Sequence, residues 1–425
     1  MKQRYLFSIL AFTGFLGLSL NGCKEKGCTD PSASNYQMSA DLDDGSCRYK
    51  EVTDELKDAF RINYADIAHA TYKDAVDGAL ELKATLEVFT DNPTQLGLEA
   101  CRDAWVLAHI PYSQAEIFTG AQGPVDEGDV NYQVRINSWD FNPAFIDYLS
   151  DSLSAGLIND TASYPIIDGT LLNELHRASG DQVMLGYHVL EFLLWGEDDD
   201  VIIDQLSGNR PLADFELSDS TDLRPLRRRS MLLEVCDLLI TDLEVLMNEW
   251  SSGSMNNYRY TFLNVYGAKK SSRLAMTGLV SFMQFELGRE RILNTLQGMD
   301  ANREESRYSD NTHRDVYFNT IGLLNIFEGT YGGADSSAAI EGTSLYQVMA
   351  EFSQEEADAI ANLMDDIVDI AANIPQPYDY TVSLELETAT GPITDLQDKL
   401  ERFGSRVTDL STEMGMGIRA DLPMN

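Results

Sequence analysis

Apolar residues recur at steps of three or four along most of this chain. Leu56, Phe60, Tyr64, Ile67, Thr71, Ala75, Ala79, Leu82, Leu86 and Phe89 trace one stripe of a long helix, which Asn92-Pro93 ends. A second helix is predicted over 94–118, with a kink at Pro111. The same period predicts helices over 143–154, 181–195, 223–250, 258–296, 313–327, 354–372 and 392–414. Strict alternation is rare, and 380–387 (YTVSLELE) is the one segment that reads as a short strand. The pattern predicts an all-α fold built from antiparallel helical bundles.

Roughly 375 residues follow the N-terminal segment, more than one core usually serves. Gly, Pro and Asp interrupt the apolar rhythm over 207–223, so two helical lobes in tandem are expected, 51–222 and 223–425. LEFLLWG at 190–196 and LLNIFEG at 323–329 echo one another, and the second copy lacks the His and Glu of the first.

The first residues bear on the compartment. Lys2 and Arg4 precede an apolar run over 5–20, and Leu20-Asn21-Gly22-Cys23 follows. A basic start, a short apolar core and a small residue describe an export signal over 1–22. Cys23 then stands at a lipidation site, with a plain signal peptide as the alternative reading. No later stretch reaches the ~18 apolar residues a spanning helix needs, so membrane attachment is expected only through the N-terminal lipid. In an exported chain, Cys28 and Cys47 are expected to bridge a polar loop too small for a core, making 23–50 an acidic spacer. Asp41, Asp43 and Asp44 are candidates for calcium, although their spacing is not that of an EF-hand; a solvated spacer is the preferred reading. Cys101 and Cys236 fall within helical apolar patterns and read as buried thiols.

The net charge of −38 excludes nucleic acid as a natural partner, because phosphate backbones need cationic surfaces. Arg227-Arg228-Arg229 is a basic run in an acidic chain, read as pairing with nearby acids. Met414 and Met416 are read as packing rather than a copper site.

Candidate chemistry concentrates at GYHVLEFLLWG, residues 186–196. His188 and Glu191, three apart on a helix, project together, and Gly186 leaves room on the preceding turn. The pair can supply two ligands to a transition metal, or it can be a hydrogen-bonded structural pair; spacing leaves both open.

The Gly-x-His-x-x-Glu segment with its apolar run and Trp-Gly resembles the signature of the imelysin-like (peptidase M75-like) family. Trp105 with Ala108-His109-Ile110-Pro111-Tyr112 and Glu116 is similar to the family's Trp-x-x-Ala-Arg-x-Pro-Tyr-x-x-x-Glu helix. Asn137-Ser138-Trp139, Glu286-Leu287 with Glu290-Arg291, and Ser309-Asp310-Asn311-Thr312-His313 resemble later stretches, in family order. His109 stands where the family commonly has Arg, and Phe285 where Gly often precedes Glu-Leu.

The resemblance implies a two-lobed helical protein with its site between the lobes, linked to bacterial iron uptake, and it carries a metallopeptidase label. A zinc peptidase wants three protein ligands and a Glu base, as in His-Glu-x-x-His or His-x-x-Glu-His. Here Phe192 follows Glu191, so the second helix-borne His is absent. Five histidines exist in all, and further ligands must come from afar: Glu116, Glu286, Asp310, His313 or His109. Oxygen-rich ligation with imidazole suits iron, with zinc as the alternative. The expectation is a lipid-anchored cell-envelope protein, at the outer membrane, binding iron or an iron chelate through His188 and Glu191, together with an envelope transport partner. Gly186, Trp105, Tyr112 and Arg291 would support the site. A metal-dependent endopeptidase and a non-catalytic binding module with a structural His-Glu pair are the alternatives.

Overall fold

The computed structural model describes residues 24–418, except 32, 34, 48–49, 120–122, 125–129, 177–181, 199–206, 220, 299–302 and 334–338. The signal segment and Cys23 lie outside the described residues. The chain divides into two units, Met1–Glu51 and Val52–Asn425.

In the first unit, Lys26–Gly27 pairs in parallel with Leu42–Asp43, and Cys28 is disulfide-bonded to Cys47 with Cα atoms 4.7 Å apart. The carboxylates of Asp43 and Asp44 accept from the backbone N–H groups of Gly45 and Ser46, each at 2.9 Å. These are the local turns that Asp residues favour. Among the described residues, Asp41, Asp43 and Asp44 assemble no three-ligand group.

The second unit is helical. Helix α1 (Asp54–Asp91) starts where the Thr53 side chain accepts from Leu56 N–H. Helix α2 (Gln95–Ala115), capped by Thr94, runs on through Pro111 into a 3-10 turn, Glu116–Phe118. Short helices α3 (Tyr132–Asn137), α4 (Gly169–Leu175) and α5 (Tyr187–Trp195) precede the long α6 (Arg224–Trp250). Helix α7 (Tyr258–Tyr260) widens into a π-helix, Thr261–Val265. Helix α8 (Ala268–Ser281) likewise continues as a π-helix, Phe282–Leu293, and closes as α9 (Asn294–Gly298). Then come α10 (Thr312–Glu328), α11 (Leu345–Phe352), α12 (Gln354–Ala372), α13 (Tyr378–Thr388) and α14 (Pro392–Glu413).

Three expectations change. The segment over 380–387 is helical, within α13: Tyr378, Thr381, Val382 and Glu385 are buried at helical spacing, and the apparent alternation does not decide the backbone. Glu385 accepts from the backbone N–H groups of Ile393 and Thr394 at 2.8 and 2.7 Å, holding an anion at the start of α14. Over 143–154 only Pro143–Phe145 is helical, as one 3-10 turn. The expected lobe boundary at 222–223 does not separate packed units. Helix α6 lies along α1 and touches α3, α4 and α5, sharing its buried Met231, Val235, Leu239 and Leu243 with one continuous core.

The basic run is absorbed into this packing. Arg228 and Arg210 both pair with buried Asp147, at 2.6 and 2.9 Å. Arg227 donates to the carbonyls of Ile158, Tyr164 and Leu157, and Arg229 to those of Phe215 and Thr90. Met414 and Met416 are buried in the core, and Cys101 and Cys236 are buried free thiols.

Candidate metal centre

Helix α2 and the 3-10 turn that continues it carry Trp105, His109, Tyr112 and Glu116 at steps of four, three and four, all buried. Helix α10 brings Asp315 and Asn319 against them. Gly322 makes this possible: a Cβ there would meet Gln114 O at 2.4 Å. Helix α5 is buried along its whole length and starts at Gly186, whose φ is 95°. A side chain at Gly186 would meet Ile136 O at 2.5 Å, so only glycine admits both the turn and the close approach to α3. The π-helix Phe282–Leu293 supplies Arg291 and Glu286, whose five-residue separation matches the i→i+5 repeat. The segment between α9 and α10 supplies Glu305, Ser306, Tyr308 and Ser309.

His188 Nδ1 lies 2.8 Å from Glu191 Oε2. The other oxygen of Glu191 accepts from Tyr308 N–H at 3.1 Å, Ser309 N–H at 2.9 Å and the Ser309 hydroxyl at 2.7 Å. Glu191 is therefore occupied on both oxygens and acts as the group that orients His188. A carboxylate only accepts, so the Nδ1 proton of His188 is given to it. His188 Nε2 is left buried with no hydrogen-bond partner, 3.9 Å from Glu305 Oε1. An unpaired buried group of this kind costs about 1–3 kcal/mol.

His109 repeats the arrangement with a different outcome. Its Nδ1 faces Asp315 Oδ1 at 3.0 Å and its Nε2 faces Asn137 Oδ1 at 3.1 Å, so both nitrogens donate. Burial works against the charged ring, but Asp315 outweighs it and raises the pKa to about 9. The ring thus keeps a positive charge where the family commonly carries Arg. Asn137 Nδ2 in turn donates to Glu305 Oε1 at 2.8 Å and to Glu116 Oε1 at 3.0 Å. Its amide spans His109 and Glu305.

Arg291 binds Glu116 Oε1 through Nη2 at 2.6 Å and Glu305 Oε2 through Nη1 at 2.5 Å. Glu116 also accepts from Asn319 at 2.9 Å. Burial pushes Glu116 up, yet Arg291 and these hydrogen bonds hold it below the usual carboxylate range. Burial also pushes Glu305 up, to about 8, with Glu116 and Asp315 adding to the effect against Arg291. Arg291 is shared among three carboxylates, Glu116, Glu305 and Glu286, so its charge does not suffice for all of them.

A ring nitrogen of His109, one of His188 and an oxygen of Glu305 lie within 4.8 Å of one another, all three residues buried. Two imidazoles and one carboxylate form a ligand set suited to ferrous iron or zinc. Each histidine has a carboxylate behind its Nδ1, the support that metal-binding histidines generally have. The set fits a metal on one condition: the Nε2 proton of His109 and the amide of Asn137 must give way. Without that, His188 and Glu305 supply two ligands.

The expected residues thus divide. His188 lies in the cluster with its Nε2 facing it, while Glu191 stands behind the ring. Glu116 is buried beside the cluster but saturated by donors. Glu286 pairs with Arg291 at 3.3 Å and remains partly exposed at the edge. Asp310 groups instead with Glu304 and Asp379. His313 turns its Nδ1 to the Asp310 carbonyl at 3.0 Å. Trp105 stacks on His109, centroids 5.0 Å apart at 27°, and donates to Tyr187 O at 2.8 Å; Tyr112 also stacks on His109, at 6.2 Å. Glu305, Asn137, Asp315 and Asn319 were not singled out from the sequence as site residues. Glu305 lies outside any helical stripe, and its one signal is its place just before the Ser-Asp-Asn-Thr-His stretch.

The family described as Peptidase_M75: Imelysin matches residues 68–406. "Iron-regulated protein A" of Synechococcus elongatus is 22% identical over 333 residues, 77% of this chain and 81% of that protein. A crystal structure of an iron-regulated protein A precursor from Parabacteroides distasonis superposes with a TM-score of 0.61 at 19% identity, covering 84% of this chain and 96% of that one. An imelysin-like protein from Psychrobacter arcticum superposes with the same TM-score, 0.61, at 14% identity, covering 88% and 99%. These two likenesses concern the fold, and the match over 68–406 carries the assignment: this chain belongs to the imelysin family.

Proposed function

We propose that this protein is an envelope protein of bacterial iron acquisition that binds iron at His188, Glu305 and His109, with Glu191 and Asp315 orienting the two rings. The observation that carries the reading is the convergence of two carboxylate-backed imidazoles and Glu305 within 4.8 Å around the unpartnered His188 Nε2. The name of the Synechococcus relative, iron-regulated protein A, supports iron as the metal. In this reading a bound ion takes the place of the Glu305 proton and of the His109 Nε2 proton, so uptake strengthens as pH rises. The signal pattern over 1–22 and Cys23 supports export and lipid attachment, and no described helix is long and apolar enough to cross a membrane.

The test is metal analysis of the purified mature chain after incubation with ferrous, ferric or zinc salts and desalting. Iron should be retained by the wild type and lost in His188→Ala and Glu305→Gln. Glu305→Gln keeps one of the two acceptors that serve Asn137 and Arg291, so it should fold with a lowered melting temperature. Equal retention in both variants overturns the site. Zinc retention with chelator-sensitive peptide cleavage overturns it in favour of a peptidase, and neither metal nor cleavage in favour of a binding module.

A further inference from the structure

Outside the His188 cluster, a second group of acids comes together from distant parts of the chain. Glu304 and Asp310 lie on the segment between α9 and α10, and Asp379 in the first turn of α13. One carboxylate oxygen from each lies within 4.8 Å of the others. Acids alone do not make a site, and the decisive group is Glu304. It is only 4% exposed. The Thr312 hydroxyl serves one of its oxygens, while Oε2 is buried and accepts no hydrogen bond.

An unsatisfied carboxylate oxygen beside two further carboxylates is poorly placed without a cation. Oxygen-only donors select hard cations over the softer metals that imidazole attracts. Size narrows the choice. Calcium holds its oxygens at about 2.3–2.6 Å, so they sit up to about 5 Å apart across the ion. Magnesium draws its ligands to about 2.0–2.1 Å and demands near-octahedral order. Three oxygens within 4.8 Å of one another admit calcium, whose coordination does not demand an octahedral frame.

We propose that Glu304, Asp310 and Asp379 form a calcium site that ties the segment before α10 to the start of α13. That segment also carries Glu305, Tyr308 and Ser309, so calcium would brace the framework around His188 without touching it. The proposal does not depend on iron binding there.

The test is titration of metal-stripped, full-length mature protein with calcium chloride, read by calorimetry and by melting temperature, with magnesium chloride as the control. Calcium should bind and raise the melting temperature. Asp379→Asn and Glu304→Gln should each weaken the tightest binding step by at least about 10–100-fold, the loss expected even for a group that only orients a metal ligand. Glu304→Gln keeps an acceptor for Thr312 and should fold. His188→Ala should respond to calcium like the wild type, which separates failure of this site from failure of the iron reading. The proposal is overturned if wild-type protein shows no calcium-dependent change, or if both variants bind as the wild type does through general surface acidity. An equal response to magnesium overturns the choice of calcium.

Discussion

The rings of His109 and His188 stand edge to face, with centroids 5.4 Å apart and planes at 83°. Each turns Nδ1 to a carboxylate, Asp315 for the first and Glu191 for the second. The rings differ at the other nitrogen: His109 donates to Asn137, while His188 finds no partner. Two similar side chains in one buried site thereby differ at Nε2, which is hydrogen-bonded in His109 and unpartnered in His188.

Glu191→Gln should destabilise the fold as well as abolish metal uptake. Glutamine keeps one acceptor oxygen where Glu191 serves His188 on one side and three donors from Tyr308 and Ser309 on the other. Its amide would point hydrogens at donors. Hydrogen bonds to a charged group are worth about 1.5–3 kcal/mol each, so a loss of about 3 kcal/mol is expected. Denaturant melts of the metal-free variant measure it, and an unaltered midpoint would show that Glu191 does not hold this network.

Stability of the metal-free protein should fall as pH rises from about 6.5 to about 9. His109 has a folded pKa of about 9 against 6.5 unfolded. Its contribution is therefore complete below pH 6.5 and is lost as pH passes through the folded value. The difference corresponds to about 3 kcal/mol. Glu305, raised to about 8, acts in the same direction from about pH 4.5 upward. His109→Gln should flatten the upper part of the profile, as followed by urea unfolding at a series of pH values. A profile equally steep in the variant would remove His109 from the account.

Gly186→Ala should damage the site without touching its polar groups. The new methyl meets Ile136 O at 2.5 Å on a backbone at φ 95°. Strain at such a position costs about 1–3 kcal/mol before the clash is counted. Relief requires α5 to move from α3, carrying His188 away from Glu305. Lower melting temperature together with weaker iron retention is expected, and retention unchanged in a destabilised variant would separate the two.

The sequence carried the helical period, and so the pairing of His188 with Glu191: three residues along one helix share a face whatever surrounds them. It carried the buried face of α2 from Trp105 to Tyr112 for the same reason. Which groups those faces meet was decided by packing. Asp315 reaches His109 across 206 residues, Arg291 reaches Glu116 across 175, and Asn137 reaches Glu305 across 168. No local spacing encodes such partners, because a helix pattern states the direction a side chain takes and not the surface it arrives at. The strand expected over 380–387 failed on related grounds, since residues buried at helical intervals against α14 and α9 outweighed an alternating local pattern. Glu191 is the clearest case. Its place beside His188 followed from the chain, but its role followed from Tyr308 and Ser309, which fill one of its oxygens and leave it to orient the histidine.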